Sequence, residues 1–197
     1  MSHVAVIPSI YQPWTNRCLR DCNLNTYVVD NTETNRGVAA SWNIGIDQME
    51  RLGATWLIIV SAAIRFGPPG GDDLLAALDA NPDALAVEAA QGIGWHLIAF
   101  HRRVFETVGR FDENFWPAYY EDIDFGRRMW LGFAQQQWPR IHCDVSLAGF
   151  SHGVDLGGAV IDNDKLAAYY AEKWGGPKGE ETYDRPFGNR PIHWWPR

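Results

Sequence analysis

Apolar and polar positions along this chain fall into two alternating rhythms. Short, almost unbroken apolar runs over residues 3–9, 26–30 and 56–61 predict strands buried on both faces. Between them, residues 15–22 predict a short helix. Residues 37–52 predict a longer one, with Val38, Trp42, Ile46 and Met49 recurring at helical spacing. The breaker Gly67-Pro68-Pro69-Gly70-Gly71 bounds the third strand's segment. Asp72 and Asp73 then open a helix through Ala80, since negative charge is favoured at a helix N-terminus. Residues 84–88 and 95–101 predict two further strands.

The second half has a different texture. Residues 102–109 form a short helix, 111–120 an aromatic-rich loop, and 121–133 a helix carrying Ile123, Arg127, Trp130 and Leu131 at helical spacing. One last long strand is expected over 142–150, a final helix over 165–174, and a loop-like tail after Gly175. Continuous apolar strands alternating with helices predict an α/β domain, a mostly parallel sheet covered on both faces. Ligands of such sheets bind beyond the C-terminal ends of the strands. Those ends read Pro8-Ser9-Ile10-Tyr11, Asp30-Asn31 and Ser61-Ala62-Ala63. The second and third are expected to share a crevice through neighbouring strands.

Composition narrows the class. A chain of 197 residues with 46% hydrophobic and 21% charged residues suits one globular domain with its own core. The net charge of −7 gives no broad footprint for nucleic acid, although Arg185, Arg190, His193 and Arg197 gather locally. Three cysteines make no disulfide framework and fit a reducing, cytoplasmic setting. Cys18, Cys22, His142 and Cys143 lack the spacing of a zinc ribbon or finger. No signal peptide is evident, and the longest apolar run, residues 56–64, falls well short of the roughly 20 residues a membrane span needs.

The densest candidate chemistry is Tyr119-Tyr120-Glu121-Asp122-Ile123-Asp124, three carboxylates at a helix start. Acidic residues there cap helices as a matter of course. Crowded carboxylates also raise one another's pKa, which gives a base suited to a hydroxyl proton. Ahead of them stands Val108-Gly109-Arg110-Phe111-Asp112-Glu113-Asn114-Phe115-Trp116-Pro117. The whole stretch resembles the signature of family-two glycosyltransferases of the GT-A fold, in which G-x-F-D-E leads through an aromatic loop into E-D-x-D and a basic residue, here Arg127 or Arg128. Val28-Val29-Asp30-Asn31, Asn35-Arg36-Gly37-Val38-Ala39 and Trp42-Asn43-Ile44-Gly45 are similar to that family's nucleotide-binding run. The resemblance covers roughly residues 3–190, and the tail from Lys173 to Phe187 also looks like tails of some members.

The resemblance implies a single GT-A-like domain, with residues 1–90 as its nucleotide-binding half and 91–197 as its acceptor-binding half and tail. It implies a nucleotide-sugar donor, UDP-linked by expectation, and transfer to an acceptor hydroxyl with inversion. Asp30 would hold the base, with Pro8, Tyr11, Asn35, Arg36 and Arg65 on the donor. Asp122 would be the general base and Glu121 would orient a substrate. Trp95, Trp116 and Tyr120 would face the acceptor, a saccharide or a modified nucleobase, with Trp194-Trp195 as a further stacking surface. His152 and Asp124 would be metal ligands.

One departure matters. Where the family carries an acidic D-x-D-like pair after its third strand, this chain reads Ser61-Ala62-Ala63. Magnesium or manganese requires oxygen ligands that alanine side chains lack. Metal-free transfer assisted by Arg36, Arg65 or a tail arginine is one consequence. A weaker metal on Asp124 and His152 is another, and a nucleotide-sugar binder without turnover is a third. Gly149-Phe150-Ser151-His152-Gly153 fits the G-x-S-x-G nucleophile elbow, but Gly157-Gly158 interrupts the helix an elbow requires.

Overall fold

The structure is a computed structural model that describes residues 2–90, 94–133, 140–150 and 159–188. Its strands are β1 (His3–Ser9), β2 (Thr26–Asp30), β3 (Trp56–Val60), β4 (Ile64–Phe66), β5 (Ala86–Ala89), β6 (Leu97–His101), β7 (Arg140–Cys143) and β8 (Leu147–Phe150). Its helices are α1 (Gln12–Arg20), α2 (Val38–Leu52), α3 (Asp72–Ala80), α4 (Arg102–Val108), α5 (Glu121–Gly132) and α6 (Asn163–Trp174). Six strands form one sheet in the order β2-β1-β3-β6-β5-β7, and β4 pairs with β8 in a small second sheet. β1 runs parallel to β2 and β3, and β5 parallel to β7, while β6 is antiparallel to both of its neighbours. This is the mostly parallel α/β domain that the alternating pattern predicts.

The two-residue strand period divides the core cleanly. Val4, Val6, Leu57, Ile59, Ile98 and Phe100 face α2, α4 and α5, packing on Trp42, Ile46, Met49, Phe105, Phe125 and Met129. Ala5, Ile7, Trp56, Ile58, Val60, Leu97 and Ala99 face the opposite side, on Cys18 of α1 and Leu74 and Leu78 of α3. A third cluster joins Phe115 to Leu166, Tyr170 and Trp174 and fastens α6 over the aromatic loop. Among the described residues no helix is long and apolar enough to cross a membrane.

Three expectations are corrected. The long strand over 142–150 is two strands in two sheets. Ile141, Cys143, Val145 and Leu147 alternate with polar residues straight through the break, so the side-chain pattern hides it. The chain turns where the Ser146 amide donates to Asp73 Oδ2 at 3.2 Å and the Gly67 amide donates to the Ser146 carbonyl at 2.9 Å. Secondly, β2 and β3 are not neighbours, because β1 lies between them. Thirdly, α1 begins earlier than residue 15, with Pro13 in its first turn, where a missing amide hydrogen costs little.

Candidate active site

The C-terminal ends of β1, β2 and β3 open on one cavity of about 400 Å³. Although β2 and β3 are separated by β1, their ends still share it, because the end of β1 supplies the wall between them. Pro8, Ile10 and Tyr11 line it beyond β1, Asn31 beyond β2, and Ser61, Ala62 and Ala63 beyond β3. Trp95 and His96, in a single 3-10 turn (Gly94–His96) ahead of β6, close one side. The first residues of α5, Glu121 and Asp122, stand at another.

Two consecutive tyrosines, Tyr119 and Tyr120, enter α5 in left-handed conformations with φ of 78° and 69°. Such non-glycine residues cost about 1–3 kcal/mol each and persist only where surroundings enforce them. The loop before them is held to the α2 start: the Trp116 indole Nε1 donates to the Asn35 carbonyl at 3.0 Å, and the Val38 amide to the Pro117 carbonyl at 2.9 Å. Gly37, at φ 85°, makes that approach feasible, since a Cβ there would lie 2.8 Å from Trp116 Cδ1. The acidic helix start is thereby aimed at the cavity.

The two carboxylates differ in environment. Glu121 is only 6% exposed, and its Oε2 has no hydrogen-bond partner among the described residues. Burial, with the neighbouring Asp122 charge second, pushes its pKa up to about 8. Glu121 therefore carries its proton at neutral pH. Asp122 is less enclosed, and its Oδ1 accepts from the Ile123 amide at 2.8 Å. A raised acid pKa means the native state holds a proton that the unfolded chain has released. Stability from this group is therefore lost as pH rises from about 4.5 through about 8. Glu121→Gln should raise the melting temperature at pH 8.5 and give little gain at pH 4.5. Equal shifts at both pH values would contradict a protonated Glu121.

The other expected site residues divide. Pro8, Tyr11, Asn35 and Trp95 line the cavity. Asp30 is exposed outside it, and its Oδ1 accepts from the amide and the hydroxyl of Thr32 at 2.9 and 2.7 Å, which lower its pKa. Arg36 donates to the Asp30 carbonyl at 2.7 Å and to Oδ1 of Asn31 at 3.4 Å, and through Asn31 it adjoins the cavity wall. Arg65 reaches the Ala148 carbonyl on β8 at 3.2 Å and is not in the lining. Trp116 acts as the latch described above, and Tyr120 stacks on Phe115 at 6.2 Å between centroids. Asp124 is a correction: it is fully buried, with Lys173 and the Trp174 indole on Oδ1 and Arg128 on Oδ2, so it holds helices together instead of offering oxygens to a metal. His152, Ser151, Arg190, His193, Trp194, Trp195 and Arg197 lie outside the described residues.

The sequence pattern singled out neither Trp14 nor His96 as lining residues, and it placed Asn31 and Tyr119 in candidate segments without a role of their own. Their only signal was position, each within a few residues of a predicted strand end or helix start. The signature segments turn out to be clamps. Asn43 of α2 donates to the Phe111 carbonyl at 3.0 Å and accepts from the Phe111 amide at 2.9 Å. Phe111 stacks on Phe125 at 4.1 Å, and Asp112 accepts from Lys173 at 2.7 Å and from the Tyr169 hydroxyl at 2.8 Å.

The residues at the Ser61-Ala62-Ala63 turn do not fit a divalent cation. The Ser61 Oγ accepts from the Ala63 amide at 3.2 Å, and neither alanine side chain offers an oxygen. Among the described residues no group of three or more His, Cys, Asp or Glu converges as a metal site. No lysine or arginine is among the described lining residues either.

The sheet order, the two helical layers and the cavity at the strand ends make a GT-A-like α/β fold. No protein-family model and no curated protein matches the sequence. Among similar solved structures, residues 1–349 of TarS from S. aureus, in complex with UDP-GlcNAc, have a TM-score of 0.56 at 11% identity, over 85% of this chain and 64% of that one. The mannosyltransferase PcManGT from Pyrobaculum calidifontis, in complex with GDP-Man and Mn2+, has a TM-score of 0.51 at 16% identity, over 74% of this chain and 56% of that one. A197 from STIV has a TM-score of 0.50 at 15% identity, over 79% of this chain and 87% of that one. The chain thus spans less than two thirds of the TarS and PcManGT structures, and at these identities the likeness is one of fold.

Proposed function

We propose that this protein transfers a sugar from a nucleotide-sugar, UDP-linked by preference, to an acceptor hydroxyl with inversion. The observation that carries this reading is the pairing of a buried, protonated Glu121 with Asp122 on the wall of a cavity at three strand ends. The donor lies in that cavity, its base between Tyr11 and Asn31 with Asp30 at the outer rim, its sugar toward α5. The acceptor oxygen attacks the anomeric carbon as the bond from that carbon to the diphosphate oxygen breaks. Asp122 takes the hydroxyl proton, and the nucleoside diphosphate leaves with the bonding electrons. Glu121, neutral, donates a hydrogen bond to the donor sugar and spares the site a second negative charge beside the diphosphate. Arg36, joined to the cavity wall through Asn31, swings to the leaving group, a guanidinium being well matched to phosphate. Transfer on this reading is metal-independent. The unpaired thiols of Cys18, Cys22 and Cys143 suit a reducing cytoplasm.

A second reading, a nucleotide-sugar binder without turnover, is favoured by Ala62 and Ala63 in the cavity wall. Calorimetric titration with UDP- and GDP-sugars, followed by a product assay with and without EDTA, separates the two. The expected result is binding of a UDP-sugar and turnover that chelation leaves unchanged. Binding with no product from any acceptor in a broad panel would favour the binder. Turnover abolished by EDTA would overturn the metal-free mechanism.

A further inference from the structure

A second cavity, of about 790 Å³, adjoins the first at Trp95 and Asp122, which line both. One wall is a face of α5. Asp122, Gly126 and Trp130 follow one another at four-residue spacing on that helix, so they stack along a single side, and all three line the cavity. Gly126 leaves a bare strip between the carboxylate and the indole, which is 40% exposed. Among the described residues a Cβ at Gly126 would meet only Trp95 Cζ2, at an ordinary 3.9 Å. The contrast with Gly132 on the same helix is informative: a Cβ there would strike Val108 Cγ1 at 2.8 Å. Packing therefore requires glycine at 132 and does not require it at 126, where it weakens the helix. Open space above the helix is what Gly126 provides.

The facing side is basic. Arg140 and His142 come from β7 and Lys178 from the tail, which is fastened by Thr182 and Tyr183 amides donating to the Trp174 carbonyl. Arg140 also pairs with Glu88 at 3.1 Å. Of the two carboxylates among the described lining residues, Glu181 accepts from the Tyr170 hydroxyl at 2.6 Å and pairs with Arg127 at 3.4 Å, which leaves Asp122 at the junction with the first cavity. Among the described lining residues, Arg127, Arg140 and Lys178 stand against Asp122 and Glu181, so on a chain of net charge −7 this cavity is locally more favourable to anions than the average surface.

We propose that this groove is the acceptor site and that the acceptor is an anionic saccharide. A sugar ring lies on the Gly126 strip between Asp122 and Trp130, and its phosphate or carboxylate faces Arg140, His142 and Lys178. This rests on Asp122 being the base of the proposed transfer. The aromatic wall supplies stacking and the cations supply selection for charge.

Ligand-observed NMR titration with glucose 6-phosphate, trigalacturonate and maltotriose tests it without donor or turnover. An anionic probe should bind about tenfold more tightly than maltotriose, and its advantage should shrink as salt rises. Gly126→Ala should weaken that binding about tenfold, as one misplaced methyl in a substrate pocket does, while the melting temperature holds or rises. Lys178→Ala should weaken the anionic probes and leave maltotriose unaffected. Preference for the phosphate or for the carboxylate probe supports the groove in either case and names its anion. Equal binding of maltotriose overturns the charge selection, and unchanged binding by Gly126→Ala overturns the placement of the ring. A wrong assignment of Asp122 leaves these titrations untouched, whereas a wrong groove leaves donor binding and the Asp122 requirement untouched.

Discussion

Asp122→Asn should lower the rate of sugar transfer by about 10²- to 10⁴-fold, the usual contribution of a positioned general base. The amide has the carboxylate's shape and keeps an oxygen to accept from the Ile123 amide, so the α5 start should stay in place. It cannot take a proton from the acceptor. Glu121 cannot replace it at neutral pH, because burial holds the Glu121 proton up to about 8. The variant also loses the Asp122 charge that helps to raise the Glu121 pKa, so its residual activity should climb with pH as Glu121 ionises, at a lower pH than the about 8 of the parent protein. Donor affinity, measured by calorimetry, should change only a few-fold, since in the proposed mechanism the carboxylate acts on the acceptor. Transfer near the wild-type rate by a folded variant would remove Asp122 from the mechanism.

Lys173→Met should destabilise the fold by about 3–5 kcal/mol, the cost of breaking a buried ion pair from one side. Lys173 is fully buried and donates to Asp112 at 2.7 Å while pairing with Asp124 at 2.6 Å. Arg128 completes the group through Asp124 Oδ2 at 3.0 Å and donates to the Val108 carbonyl at 2.7 Å. Two acids and two bases thus close a neutral network among α4, α5, α6 and the loop after Phe111. Removing one ammonium leaves a buried carboxylate without its counter-charge. The network anchors α5, so the loss should also loosen the carboxylates at the helix start. Chemical denaturation measures the first effect, and adding Asp112→Asn to Lys173→Met should restore part of the stability by removing the stranded charge. Additive losses in the double variant would show that Lys173 and Asp112 do not act as one unit.

The acidic side also follows. Burial alone would raise the Asp112 pKa, but Lys173 and the bonds from Asn114 and Tyr169 hold it below the usual value of 3.8. Its share of stability is present above that value and is lost as pH falls through the lowered one. Acid therefore loosens the α5–α6 clamp, whereas alkali strains Glu121.

Much of the architecture was legible before any coordinates. β1, β2 and α3 fall on the expected residues because each is bounded by strong local chemistry: apolar runs ended by polar residues, or two aspartates after a glycine-proline turn. The failures share a cause. The split of residues 140–150 is a change of pairing partner, which leaves the side-chain alternation intact, so periodicity cannot register it. The place of β1 between β2 and β3 is likewise a matter of sheet order, which no local pattern encodes.

The site shows the same division. The sequence by itself determined that carboxylates open α5 and that the three strand ends carry the lining segments, because residue type and local periodicity are enough for both. Only the tertiary structure decided where each carboxylate stands and what surrounds it. Asp122, Glu121 and Asp124 lie within one helical turn, yet helical geometry sends Asp124 to Lys173 and Trp174, buries Glu121, and leaves Asp122 at the meeting of two cavities. The same turn of helix brings Gly126 and Trp130 into line with Asp122 and opposite cations from β7 and the tail. Charge and burial in such a site arise from residues distant in the chain, and folding brings them together.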